Sequence, residues 1–147
     1  MSFTIAAAQL NLITGDLPGN VRRIAAAARR AHADGACLLV TPQLALCGPD
    51  PQDLLLQPAF VRACETALHD LAQATSALQD LVLVVGCPRL ATQAVSTRDR
   101  HPPLWNAAVV IRNGAVLLHH GRQRLTPDEQ RYFTPGDGPG VLEAGKR

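Results

Sequence analysis

Lysine is almost missing from this chain. Of its 14 Lys and Arg residues only Lys146, next to last, is a lysine, so a cation needed anywhere else has to be the larger, planar guanidinium of arginine. A charge imbalance is missing too. A net charge of +2 over 147 residues gives a weak field, and neither a nucleic acid nor a membrane is implied as a partner. No apolar run approaches the ~20 residues needed to cross a bilayer. The N-terminal "MSFTIAAAQLNL" has no basic stretch of the kind that opens a secretory signal, and the expected location is the cytoplasm. Cysteine occurs four times, as Cys37, Cys47, Cys64 and Cys87, with neither C-x-x-C nor Cys/His spacing. That pattern excludes a recognisable disulfide or zinc framework; buried core thiols and no metal site are expected.

What is present suits one globular domain or part of one, with 47% hydrophobic residues and no internal repeat. "FTIAAAQL" reads as a buried strand, and "NLITGDLPGN" as a loop from which Asn20 would cap a helix running from Val21 to Ala33. On that helix Arg22, Arg23, Arg29 and Arg30 recur seven apart and mark a solvated face. "ACLLVT" is a second strand. The loop "PQLALCGPDPQD" leads to a helix with Val61, Cys64, Leu68, Leu71 and Leu78 on its apolar face. "LVLVVG", apolar on both faces, fits a central strand of a largely parallel sheet covered by helices. After a polar stretch, "RLATQAVSTRDRHPP", read as an exposed loop, "LWNAAVVI" and "AVLLHH" flank Asn113-Gly114, a strong hairpin signal. The order β-α-β-α-β plus hairpin predicts an α/β fold.

The segments "IAAAQLNLITGDLPGN", "TPQLALCGPDPQDLLLQPAF", "LWNAAVVIRNGAVL" and "DEQRYFTPG" resemble, in sequence and order, the carbon-nitrogen hydrolase (nitrilase-like) family. "DLLLQPAF" and "RYFTPG" resemble in particular the N-terminal glutaminase domain of glutamine-dependent NAD synthetases. The resemblance covers Thr4 to about Gly136. It implies an αββα sandwich, of which this chain would be the N-terminal portion, and a site where a glutamate, a lysine and a cysteine converge. In such a site the thiolate attacks the side-chain amide of glutamine, the glutamate relays protons and the lysine stabilises the oxyanion. Released ammonia would go to a synthetase domain, absent from this sequence, to which ATP and Mg would belong; this chain itself would carry no cofactor.

Three positions depart from what the resemblance implies. Gln43 stands at the general-base position and has the shape of glutamate without its proton. Arg122, in "HGRQRL", stands at the lysine position and is differently aimed. The nucleophilic cysteine has no counterpart, since it would lie on a strand following "VLEAGKR", and Cys47, nearest in sequence, occupies a turn where filler is expected. Pro49 replaces a tyrosine, and "LTP" shortens the pocket loop before "DEQRYF". Asn106 and Glu129 match positions bordering the substrate. The bland alternatives are that Asn106 orders a strand end and that Glu129 pairs with Arg131 or Arg122. Three functional readings stand: a glutaminase-domain portion that is inactive as this chain, a non-catalytic interaction module on the same fold, and a small amidase with relocated residues. The three combined departures weigh against the last. Two structural expectations follow. Gln43 and Arg122 should lie within about 10 Å, at the ends of neighbouring strands, and a bare sheet face should drive self-association or aggregation.

Overall fold

The computed structural model describes residues 3–91 and 102–143. Most of the polar stretch read as a loop after Leu90, together with Lys146, lies outside the described residues.

Strand β1 (Ile5–Ala7), helix α1 (Leu17–Ala33), β2 (Leu38–Val40), a 3-10 turn (Gln52–Leu56), helix α2 (Pro58–Ala74), β3 (Val82–Leu90), β4 (Leu104–Arg112), β5 (Ala115–Gly121) and a second 3-10 turn (Glu129–Arg131) follow one another. The strands form one sheet in their sequence order, β1 to β5. β1, β2 and β3 are parallel, β4 and β5 antiparallel. The sheet is therefore mixed rather than largely parallel: after β3 the chain returns as hairpins, which need no helical crossover.

The first helix begins earlier than its apolar periodicity suggests. Asp16, not Asn20, is the cap: its Oδ1 accepts from the Gly19 amide at 3.0 Å, and Arg23 pairs with its other oxygen at 3.1 Å. Pro18 is tolerated in the first turn, where its missing N–H would have had no partner. The hydrogen bond from Arg23, with that from the Gly19 amide, holds the Asp16 carboxyl below its ordinary pKa. Asn20 is left inside the helix and fully buried. Its Oδ1 accepts from Ile13 N at 3.0 Å, and its Nδ2 donates to Ile13 O at 2.8 Å and Leu46 O at 3.1 Å. One amide thus fastens the loop before α1 to the loop after β2.

The Asn113-Gly114 hairpin forms as its sequence requires, with φ of 51° and 79° at the two residues, the left-handed pair that a two-residue turn between twisted strands demands. In α2, Val61, Cys64, Leu68 and Leu71 are buried, whereas Leu78 lies past the helix end at Ala74.

Both helices pack on one face of the sheet and against each other. Leu83, Val85 and Cys87 of β3 and Ala107, Val109 and Ile111 of β4 point into this core at 2% exposure or less. The opposite face carries no helix among the described residues: Val40 remains 38% and Ile5 59% exposed. The structure is thus one α layer over one β layer, half of the expected αββα arrangement.

Candidate functional site

The site is assembled by three backbone approaches. After β2, Thr41 donates its amide to Val84 O at 3.0 Å, Leu46 N donates to Gly86 O at 3.0 Å, and Gly86 N donates to Thr41 Oγ1 at 3.2 Å. The loop carrying Gln43 therefore lies directly across β3. Only glycine permits this, because a Cβ on residue 86 would fall 2.5 Å from Leu44 N and Pro42 O. Arg122 leaves β5 with its amide donated to Asn106 O of β4 at 2.8 Å. Glu129 opens the second 3-10 turn, which Thr126 caps.

These elements bring Gln43, Asn106, Arg122 and Glu129 together around one carboxylate oxygen. Glu129 Oε1 accepts from Gln43 Nε2 at 3.1 Å, Asn106 Nδ2 at 3.2 Å and Arg122 Nη1 at 3.2 Å. Arg122 Nη1 also donates to Gln43 Oε1 at 3.1 Å, while Glu129 Oε2 accepts from Thr126 N at 2.9 Å. Gln43 and Arg122 are in contact, but not from neighbouring strands. β3 and β4 separate β2 from β5, and the gap is closed by the loop that crosses Gly86.

Burial pushes the Glu129 carboxyl up, yet hydrogen bonds from Thr126, the Arg122 charge and the Gln43 amide together outweigh it and set its pKa below the ordinary 4.5. Glu129 is ionised at neutral pH, and its hydrogen-bonding capacity is spent on protein donors. Arg131, the other candidate partner, instead stacks on Tyr132 at 5.6 Å, whose hydroxyl donates to Asp53 at 2.8 Å. A cleft of about 450 Å³ opens beside Gln43 and Glu129, walled by Asp50, Tyr132 and Phe133. A larger groove of about 690 Å³ runs between β1 and α1, remote from this cluster.

None of the four cysteines joins the cluster. Cys47, Cys64 and Cys87 are buried. A hydrogen bond with Cys64 and burial push the Cys47 thiol well above its usual range, and burial does the same to Cys87. Such thiols do not ionise, and the thiolate is the nucleophilic form. Cys37 precedes β2, at the end of that strand opposite Gln43. Among the described residues no group of three or more His, Cys, Asp or Glu is placed to hold a metal ion, and no helix is long and apolar enough to cross a membrane.

Residues 4–145 match the model of the carbon-nitrogen hydrolase family. The chain belongs to that family. It is 42% identical over 135 residues to a glutamine-dependent NAD(+) synthetase of Synechocystis sp., covering 89% of this chain and 24% of the relative. Among solved structures, the glutamine-dependent NAD+ synthetase of Acinetobacter baumannii superposes with a TM-score of 0.80 at 26% identity, over 96% of this chain and 25% of that one. An amidase from Nesterenkonia sp. AN1 superposes with a TM-score of 0.75 at 28% identity, over 99% of this chain and 55% of that one. The nitrilase-like fold is thereby established, and the α-over-β unit is its N-terminal portion. The chain spans about a quarter of the length of the synthetases it matches.

Two elements of the site escaped sequence reasoning. Thr126 locks Glu129, and the T-x-x-E spacing of Thr126 to Glu129 is a capping-box signal. Gly86 was hidden inside an apolar run that reads simply as strand.

Proposed function

We propose that this chain is the N-terminal part of a glutaminase domain of a glutamine-dependent NAD synthetase, a domain that would release ammonia from glutamine for NAD formation, and that the chain by itself does not hydrolyse glutamine. The observation that carries the reading is the hydrogen-bonded closure of Gln43, Arg122 and Glu129. A primary amide occupies the general-base position and is held by both its ends. It can fix geometry but cannot accept a proton. The one carboxylate in the cluster is no replacement base, since its pKa is lowered and efficient proton transfer near neutral pH calls for a raised one.

Arg122 keeps a positive charge where an oxyanion would form, but that charge is already neutralised by Glu129 at 3.2 Å. Losing a general base typically costs about 10² to 10⁴ in rate, and losing an oxyanion donor about 10² to 10³. Without an ionisable thiol beside the cluster no acyl-enzyme forms, whatever the other two groups do. Glutamine is the substrate class that the likeness to the synthetases suggests. ATP and Mg belong, on this reading, to the synthetase reaction, and we assign neither to this chain; the cytoplasm is the compartment that NAD formation suggests.

The test is ammonia release from glutamine by the purified chain against a protein-free control. No release above the control is expected, and Gln43→Glu should not restore any. Turnover that Cys47→Ser abolishes would overturn the reading in favour of an amidase with relocated residues.

A further inference from the structure

The helix-free face of the sheet has three rows across its strands. Ile5, Leu38 and Val82 form the first; Ala7, Val40, Val84, Val110 and Leu118 the second; Gly86, Ala108 and His120 the third. None of these residues is Asp, Glu, Lys or Arg. The first two rows stand proud with branched side chains, whereas Gly86 and Ala108 leave a hollow of about 290 Å³ bounded by Val40 and Val84 on one side and by Asn106 and Arg122 on the other.

We propose that this face is a self-association surface on which a second copy of the chain packs sheet against sheet about a two-fold axis. A two-fold contact uses the same patch twice and so demands a surface complementary to itself. This one has a ridge, with Val40 and Leu118, and a matching hollow at Gly86 and Ala108; turning one copy over sets each ridge into the other's hollow. Two aligned sheets pack about 10 Å apart with interdigitated side chains. Five strands about 4.8 Å apart over some 20 Å of length give about 500 Å² of face per copy, or roughly 1,000 Å² in the pair, which reaches the lower bound of a specific interface.

The quantity of polypeptide agrees. Nearly all of this chain covers 55% of the Nesterenkonia amidase, so two copies hold slightly more chain than one amidase does. The paired copies would stack as helix, sheet, sheet, helix. The hollow shares Gln43, Asn106 and Arg122 with the candidate site, so association would also cover one side of the polar cluster.

Sedimentation velocity and light scattering of the full 147-residue chain, from about 1 to about 200 µM, read the state directly, and a discrete dimer of twice 15.7 kDa is expected. Ala108→Arg places a guanidinium in the hollow and should weaken association at least ~100-fold, as buried unpaired charge does, with circular dichroism unchanged. Ala26→Glu, in the groove between β1 and α1, should leave the dimer intact. If Ala108→Arg does not fold, disulfide trapping replaces it: chains carrying Val40→Cys mixed with chains carrying Ala108→Cys should cross-link on mild oxidation. A monomer at all concentrations, open-ended growth, a dimer indifferent to Ala108→Arg or a failure to cross-link would each overturn the proposal. None of these outcomes touches ammonia release.

Discussion

Asn20 offers a sharp test of what holds the site in place. Its carboxamide makes three hydrogen bonds, two to the backbone of Ile13 and one to Leu46 O, from a fully buried position in α1. Replacing it with alanine removes all three and leaves the Ile13 N–H and two carbonyls short of partners where water has little access. At about 1 kcal/mol per net hydrogen bond the loss is about 3 kcal/mol, and unmet buried groups cost at least that much again where the site cannot rehydrate. Alanine's better helix propensity returns about 0.5 kcal/mol. A net destabilisation of about 2.5–4 kcal/mol is expected, readable as a lowered urea midpoint at unchanged slope and, at 2–4 °C per kcal/mol for a chain of this size, as a melting point lower by about 5–15 °C. Asn20→Asp separates the donors from the acceptor. It keeps an oxygen for Ile13 N but aims a buried carboxylate at two carbonyl oxygens, so its folded pKa must rise. A carboxyl with a raised folded pKa destabilises at pH above the unfolded value and recovers as pH falls, so the deficit of Asn20→Asp should shrink between pH 7 and pH 4. An Asn20→Ala variant within 0.5 kcal/mol of the unmodified chain, or an Asn20→Asp deficit independent of pH, would refute the pinning role.

Gly86→Ala should cost about 1–3 kcal/mol, the usual penalty for an overpacked site, because its Cβ meets backbone of the Gln43 loop at 2.5 Å; an unchanged urea midpoint would show that the loop is not seated on β3. Glu129→Ala strands Gln43, Asn106 and Arg122 together, and a loss of about 1–3 kcal/mol is expected, with a smaller loss for Glu129→Gln, which keeps an acceptor. The lowered Glu129 pKa stabilises the fold above the unfolded value near 4.3 and the contribution is lost as pH falls through the lower folded value; the unmodified chain should therefore lose stability in acid below about pH 4.3 more than Glu129→Gln does. Gln43→Glu replaces the amide donor with a second carboxylate beside Glu129, so one of the pair should titrate above the ordinary range, visible as a new transition in a carboxylate-resolved NMR pH series.

The sheet, both helices and the hairpin were legible because each leaves a periodic or turn signature in a short stretch. Asn113-Gly114 needs nothing beyond itself to turn. The helix start was misplaced because Asn20 and Asp16 are both good capping residues, and what separates them is burial against Leu46, a contact 26 residues away. Resemblance pointed to Gln43, Arg122, Asn106 and Glu129, and the fold does gather all four. Their pairing was not legible, since it depends on a loop crossing β3 and on Thr126 orienting the carboxylate. The direction of the helices was missed for a related reason. An apolar strand reads alike whether its second face meets helices, another sheet or solvent.

The strands lie in the sheet in the order in which they are synthesised. Each strand pairs with the one just before it, so the sheet can lengthen at one edge as the polypeptide leaves the ribosome, and no later strand has to insert between two earlier ones. Contacts of that kind close short loops first and favour rapid assembly. β1 is laid down before all the others and remains an edge throughout. Because it is a short strand without proline or charge, nothing in it discourages a newly arriving strand from pairing. A ribosome-stalled series of increasing length should therefore gain protease resistance stepwise from the N-terminus, with the β2–β3 step, which completes the three parallel strands under both helices, the largest.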